Sequence, residues 1–197
     1  MKRLVVISTP YFFENEGSIL SSLFDEGLEC LHLRKPECRE VELRQLLETI
    51  PERYYSRIRL HDCFELSRTF PVGGLHLNRR NSSVPNGYKG AISRSCHSLQ
   101  EVADSAGFDY VFLSPLFQSI SKEGYGSGFS LQTLEKASEA GLINEKVIAL
   151  GGMDRTTIPL IRHLNFGGVA VLGALWGEAT ENKKLPNIRK RFKDLQI

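Results

Sequence analysis

The feature that most constrains this chain is an alternation, eight times over, of short β-branched runs with helix-like segments. Leu4–Ser8 reads as the first strand, and Ile19–Glu26 as a helix ended by Gly27. Cys30–Arg34 and Val41–Ile50 repeat the unit, with Pro51 as the stop. Ile58–His61 and about Cys63–Thr69 form the third pair, and Gly74–Leu77 is the fourth strand. Ala91–Ser95 precedes the helix Leu99–Ala106, and Asp109–Leu113 precedes Leu131–Ala140. Val147–Leu150 pairs with Thr156–Leu164, and Gly168–Leu172 with Pro186–Leu195. This order demands a parallel sheet with helices outside it. Eight units predict an α/β fold of one domain over residues 1–197, a closed (β/α)8 TIM barrel. The chain is short for that fold, so something must be trimmed. Asn78–Lys89 carries Pro85, Gly87 and three asparagines, so the fourth helix is expected to shrink to a loop or a single turn. The rival, an open doubly wound sheet, lacks a G-x-G-x-x-G after its first strand.

Composition narrows the partners. A chain with 41% hydrophobic and 24% charged residues can bury a core and is not wholly disordered. Lys and Arg total 25 against 23 Asp and Glu, a balance of +2 that argues against a nucleic-acid binder. No apolar run reaches the length of a membrane span. The apolar stretch after Met1-Lys2-Arg3 stops after four residues, which favours a strand over a signal peptide. The cysteines at 30, 38, 63 and 96 form no C-x-x-C and suit neither a zinc knuckle nor a disulfide framework. A reducing cytoplasm is the expected location. Barrels often pair, which leaves a homodimer open.

Strand side chains alternate between faces, so polar residues of one parity point into a barrel and the aliphatic parity meets the helices. His32 and Arg34 share one face, as do Arg59 and His61, His76 and Asn78, and Ser93, Ser95 and His97. Each histidine alone reads as a hydrogen-bonded core or rim residue. Four of them near the ends of strands two to five, joined by Arg34 and Asp62, point to a site at the mouth. There is no H-x-H or H-x-x-x-H, so a catalytic zinc is not expected. Cys96 and His97 are adjacent and therefore point apart, which disfavours a Cys–His dyad. The turns at Gly151-Gly152 and Leu172-Gly173 follow strands seven and eight, where barrels often hold a phosphate on bare backbone N–H groups. The long loop after strand six carries Ser119, Ser121 and Lys122, which look like anion ligands, among glycines that would allow a lid.

Taken in order, these motifs resemble the thiamine phosphate synthases and their relatives, the TenI-type thiazole tautomerases. The resemblance runs through His32-Leu33-Arg34-Lys35-Pro36, His61-Asp62, Gly74-Leu75-His76-Leu77, Ser95-Cys96-His97, the loop from Asp109-Tyr110 to Lys122, and Gly151-Gly152. It implies a (β/α)8 barrel acting on a thiazole phosphate. In synthases this is joined to a pyrimidine diphosphate with loss of pyrophosphate, and two aspartates hold Mg²⁺. Here the first aspartate matches Asp62, while the second falls on Asn81, a poorer ligand for a hard cation. His32 and His61 replace the glutamine and asparagine of the pyrimidine side, and the expected lysine falls on Pro36. The thiazole-phosphate half is better kept. The tautomerase, which needs no cofactor, is therefore the leading expectation, with His97 as proton shuttle. Gly151, Gly152, Leu172 and Gly173 would hold the phosphate. Ser119, Ser121 and Lys122 would hold the carboxylate or phosphate, and His32, Arg34, His61, His76 and Ser95 would line the ring. The alternatives are a Mg²⁺-dependent synthase using Asp62, and a barrel that binds the thiazole phosphate without catalysis.

Overall fold

The computed structural model describes residues 3–117, 129–178 and 183–196. Its eight strands are β1 (Arg3–Ile7), β2 (Cys30–Leu33), β3 (Ile58–Leu60), β4 (Gly74–Leu77), β5 (Ala91–Cys96), β6 (Tyr110–Leu113), β7 (Val147–Leu150) and β8 (Gly168–Val171). All neighbouring strands pair in parallel, and β8 returns to β1, so the sheet closes into the expected TIM barrel. Around it lie α1 (Glu16–Asp25), α2 (Glu40–Glu48), α3 (Leu99–Ala103), α4 (Leu131–Glu139), α5 (Ile158–Ile161), α6 (Gly173–Trp176) and α7 (Leu185–Asp194).

The period of two sorts the core into two shells. Val5, Ile7, Cys30, Tyr110, Phe112, Ile148 and Ala170 fill the barrel. Val6, Leu31, Leu33, Leu60, Leu75, Val111 and Val169 point outward and join the shell packed against the helices. Ile19, Leu20, Leu23 and Phe24 form the buried face of α1, each contributing about 1.5–3 kcal/mol of burial. Gly27 then takes φ 100°, the left-handed geometry that ends a helix cheaply for glycine. Gly74 has a different task. A Cβ there would lie 2.4 Å from Arg59 Cδ, so the missing side chain lets Arg59 lie inside the sheet.

The trimmed fourth helix is absent, as expected: β4 runs to β5 through a loop. Four other segments differ from the sequence reading. After β3 the chain makes only a 3-10 turn, Phe64–Arg68, because the Leu66 and Thr69 amides bond three residues back. The helix expected over Thr156–Leu164 shortens to α5, since Asp154 and the Thr157 hydroxyl tie up its first turn. Glu52–Arg57 forms a second 3-10 segment, and α6 is an extra helix directly after β8. Trp176 anchors α6 by donating its indole N–H to the Ile7 carbonyl at 2.7 Å, and this bond fixes the turn at Leu172-Gly173.

Candidate active site

His32, His61 and His76 do converge inside the barrel. The His61 and His76 rings stack with centroids 4.1 Å apart, and His32 meets both edge-on. His32 Nδ1 lies 2.8 Å from His61 Nε2, and His32 Nε2 lies 2.6 Å from the Tyr110 hydroxyl. His76 is held between Ser93 Oγ at 2.9 Å and Ser95 Oγ at 3.0 Å. The rings are 0%, 5% and 1% exposed, in numerical order. Burial, reinforced by neighbouring basic groups, pushes His32 and His61 well below their ordinary value, and His76 down to about 3. All three are therefore neutral at physiological pH. Their ligand atoms lie within 4.8 Å of one another, the only such metal-compatible group among the described residues. Both nitrogens of His32 and of His76 are already bonded to side chains of the network.

His97 is not part of this cluster. It sits just beyond β5, exposed, with its backbone N–H donating to Glu101 at 2.7 Å. Its Nδ1 is 2.8 Å from the Ser114 carbonyl oxygen. A carbonyl can only accept, so Nδ1 carries a proton, and Nε2 has no hydrogen-bond partner among the described residues. The expectation that four imidazoles share one pocket is thus corrected. Three form a closed network inside, and one presents a bare nitrogen at the rim.

The β2–β4 side of the mouth is cationic. Asp62, just past β3, accepts the Lys35 backbone N–H on Oδ2 at 3.0 Å. Its Oδ1 receives Arg80 through Nη2 at 2.8 Å and Nε at 3.3 Å. Asn81 donates to the same oxygen at 3.4 Å and to the His61 carbonyl at 3.0 Å. Arg34 follows β2 and is half-buried. Burial first, then the Arg80 charge, lower its pKa, while Asp62 acts in the opposite sense. Lys35 does not reach the mouth. Its ammonium is buried on Glu16 at 2.6 Å and on the Thr9 and Tyr11 carbonyls. Desolvation drives the Lys35 and Glu16 pKa values toward neutrality, and their mutual attraction opposes it.

This donor set fits a magnesium ion poorly. Mg²⁺ favours carboxylate and water oxygens in a tight octahedron. Among the described residues this side of the mouth offers Asp62, with both oxygens committed, and the Asn81 amide, which turns its N–H₂ toward that carboxylate. A guanidinium already neutralises Asp62. Two unit positive charges 4 Å apart repel by about 4 kcal/mol at an effective dielectric constant near 20, and a divalent ion doubles that. Arg80 was missed in the sequence. The available signal was two consecutive arginines placed beside Asn81, where a second acid was sought.

Opposite lie the glycine turns. β7 and β8 are paired neighbours, so Gly151-Gly152 and Leu172-Gly173 emerge side by side. Gly151 and Gly152 take φ 97° and 64°, and a Cβ on Gly151 would sit 2.8 Å from Pro115 Cα. Side chains are excluded there, which leaves backbone facing the opening. Gly173 begins α6, where the first amides have no intrahelical acceptor. In an eight-stranded ring β3 and β7 are four places apart, so Asp62 with its arginines and the glycine turns occupy opposite sides of the mouth. Ser119, Ser121 and Lys122 lie outside the described residues.

A closed parallel (β/α)8 barrel with Arg34, Asp62, Arg80 and His97 beyond the C-terminal ends of its strands has the build of the enzyme-type TIM barrels. The family model described as thiamine monophosphate synthase matches residues 4–175, and the chain belongs to that family, whose enzymes serve thiamine biosynthesis. A thiamine-phosphate synthase of Bacteroides thetaiotaomicron is 25% identical over 178 residues, 83% of this chain and 85% of that protein. One from Syntrophomonas wolfei is 27% identical over 178 residues, 84% of each chain. A solved thiamine phosphate pyrophosphorylase from Bacteroides thetaiotaomicron is 40% identical, with a TM-score of 0.88 over 98% of this chain and 95% of that one.

Proposed function

We propose that this chain is a transferase of thiamine biosynthesis that joins a thiazole phosphate to a pyrimidine diphosphate and releases pyrophosphate. The observation that carries this reading is a side bearing two arginines set opposite a side of glycine turns. Arg34 and Arg80 suit a diphosphate, and the glycine turns at residues 151–152 and 172–173 suit the thiazole phosphate. The names of the relatives support the same reaction. In this scheme the arginines hold the departing diphosphate and offset the charge it gains as its bond to the pyrimidine breaks. The opposed backbone turns hold the second substrate in line for bond formation.

A second reading has its own support. His97, with Nδ1–H tied to Ser114 and Nε2 free, is arranged for removing and returning a proton, which is the chemistry of a thiazole tautomerase. The single carboxylate at Asp62, already paired, also fits a reaction that needs no metal. One assay separates the two. Purified protein is given thiazole phosphate with the pyrimidine diphosphate, and separately the carboxylated thiazole phosphate alone. Thiamine phosphate and pyrophosphate in equal amounts support the transferase. Aromatisation of the second substrate, with no pyrophosphate from the first, rejects it in favour of the tautomerase.

A further inference from the structure

The contact between Arg80 and Asp62 is more than a surface ion pair. An exposed arginine held only by one carboxylate contributes little and moves freely. Here the turn that carries Arg80 is built. Asn78 Oδ1 accepts the Arg80 and Asn81 backbone N–H groups at 3.0 and 3.2 Å. Asn78 Nδ2 donates to the His61 and His76 carbonyls at 2.7 and 3.2 Å, and Asn81 Nδ2 donates to the His61 carbonyl. The Asn78 and Asn81 backbones bond to each other in both directions. Two amides therefore staple the loop after β4 onto the end of β3 and deliver the guanidinium to Asp62 in two contacts.

The charges then sum simply. Arg34 and Arg80 contribute +2, Asp62 contributes −1 and Asn81 nothing, a surplus of one fixed positive charge over a carboxylate. A divalent ion in place of Arg80, held by Asp62 and by an acid where Asn81 stands, would with Arg34 sum to the same +1. Arginine also offers planar, directional donors that match phosphate oxygens. We infer that Arg80 takes the place of a divalent cation at this mouth, so that Arg34 and Arg80 together bind a pyrophosphate-class anion without metal. The inference deepens the transferase reading and rests on it for the side by which the diphosphate enters.

Titration calorimetry with inorganic pyrophosphate tests it, in excess EDTA and again with excess Mg²⁺. The expected dissociation constants agree within about threefold, since no metal is needed. Arg80→Ala should weaken binding roughly ten- to hundredfold in EDTA, the size of a lost charge-assisted contact. Arg80→Lys keeps the charge and should fall between the two. The double substitution Arg80→Gln with Asn81→Asp should make binding depend on Mg²⁺. Circular dichroism checks that each variant is folded. Binding seen only with Mg²⁺ in the unaltered protein, or binding unchanged in folded Arg80→Ala, overturns the inference. The transferase reading fails separately. Metal-free pyrophosphate binding without transfer removes that reading and leaves the Arg80 assignment standing. Transfer that strictly requires Mg²⁺ does the reverse.

Discussion

His32, His61 and His76 differ from His97 in one physical respect that decides what each can do. The inner three are enclosed: His32 bonds to His61 and Tyr110, His76 bonds to Ser93 and Ser95, and the rings pack on one another. The network satisfies polar groups in a space where an unpaired one would cost about 1–3 kcal/mol. His97 is exposed and uses one nitrogen to fix its ring against Ser114, while the other has no partner among the described residues. Inside the barrel, imidazole is a building material that pairs polar side chains in place of an aliphatic layer. At the rim it is open to solvent and held through one nitrogen only. Residue type and strand parity were the same for both, so burial and hydrogen-bond partners separate the roles.

The largest effect expected from this contrast is on acid stability. The ordinary histidine value is 6.5, and folding lowers all three inner rings below it, His76 to about 3. The unfolded chain therefore takes up protons that the folded one refuses. Their contribution to stability is complete above about pH 6.5 and is lost as pH falls toward the folded values. Three such rings give a slope of up to roughly 4 kcal/mol per pH unit in that window. Urea unfolding followed from pH 7 to pH 4 measures it, and a flat profile there would break the contrast.

Next in size is His97→Asn. Where the reaction shuttles a proton, turnover of the carboxylated thiazole phosphate should fall by roughly 10²–10⁴-fold. The melting temperature should barely move, because the ring is exposed. A large loss of stability with little loss of turnover would place His97 with the inner group. The smallest effect is expected of His32→Phe, which fills the space but strands the His61 nitrogen and takes one partner from the Tyr110 hydroxyl. It should cost about 1–3 kcal/mol of stability in chemical denaturation. Folded protein should keep most of its turnover, which sharpens the division between scaffold and reagent.

The barrel and its inward polar parity were readable because both follow from periodicities along the chain: eight strand–helix units, and alternation of two within each strand. The depth of each ring was not readable. Parity tells which face of the sheet a residue takes, while the stagger of strands around the barrel sets its height, and no single strand encodes that stagger. His97 shares the inward parity of Ser93 and Ser95 yet clears the end of β5, whereas His76, paired in register with Ser93, is enclosed. The burial of Lys35 was not readable for a related reason: it stands in a loop beside Arg34, but its partner Glu16 is 19 residues earlier, at the start of α1. Arg80 was not readable because its contact with Asp62 depends on the turn that Asn78 builds after β4, which no period in the sequence encodes. Short helices such as α5 and α6 depend on side-chain contacts to distant carbonyls, as with Trp176 and Ile7, and leave no period to detect.

The central claim, that the inner histidines are a neutral scaffold and the chemistry lies at the rim, is tested most directly by ¹⁵N NMR of the imidazole rings while the pH is lowered. The account predicts that His32, His61 and His76 keep the shifts of neutral imidazole for as long as the protein stays folded. Protonation of any of the three near pH 6, with the fold intact, would contradict it and return the proton chemistry to the interior of the barrel.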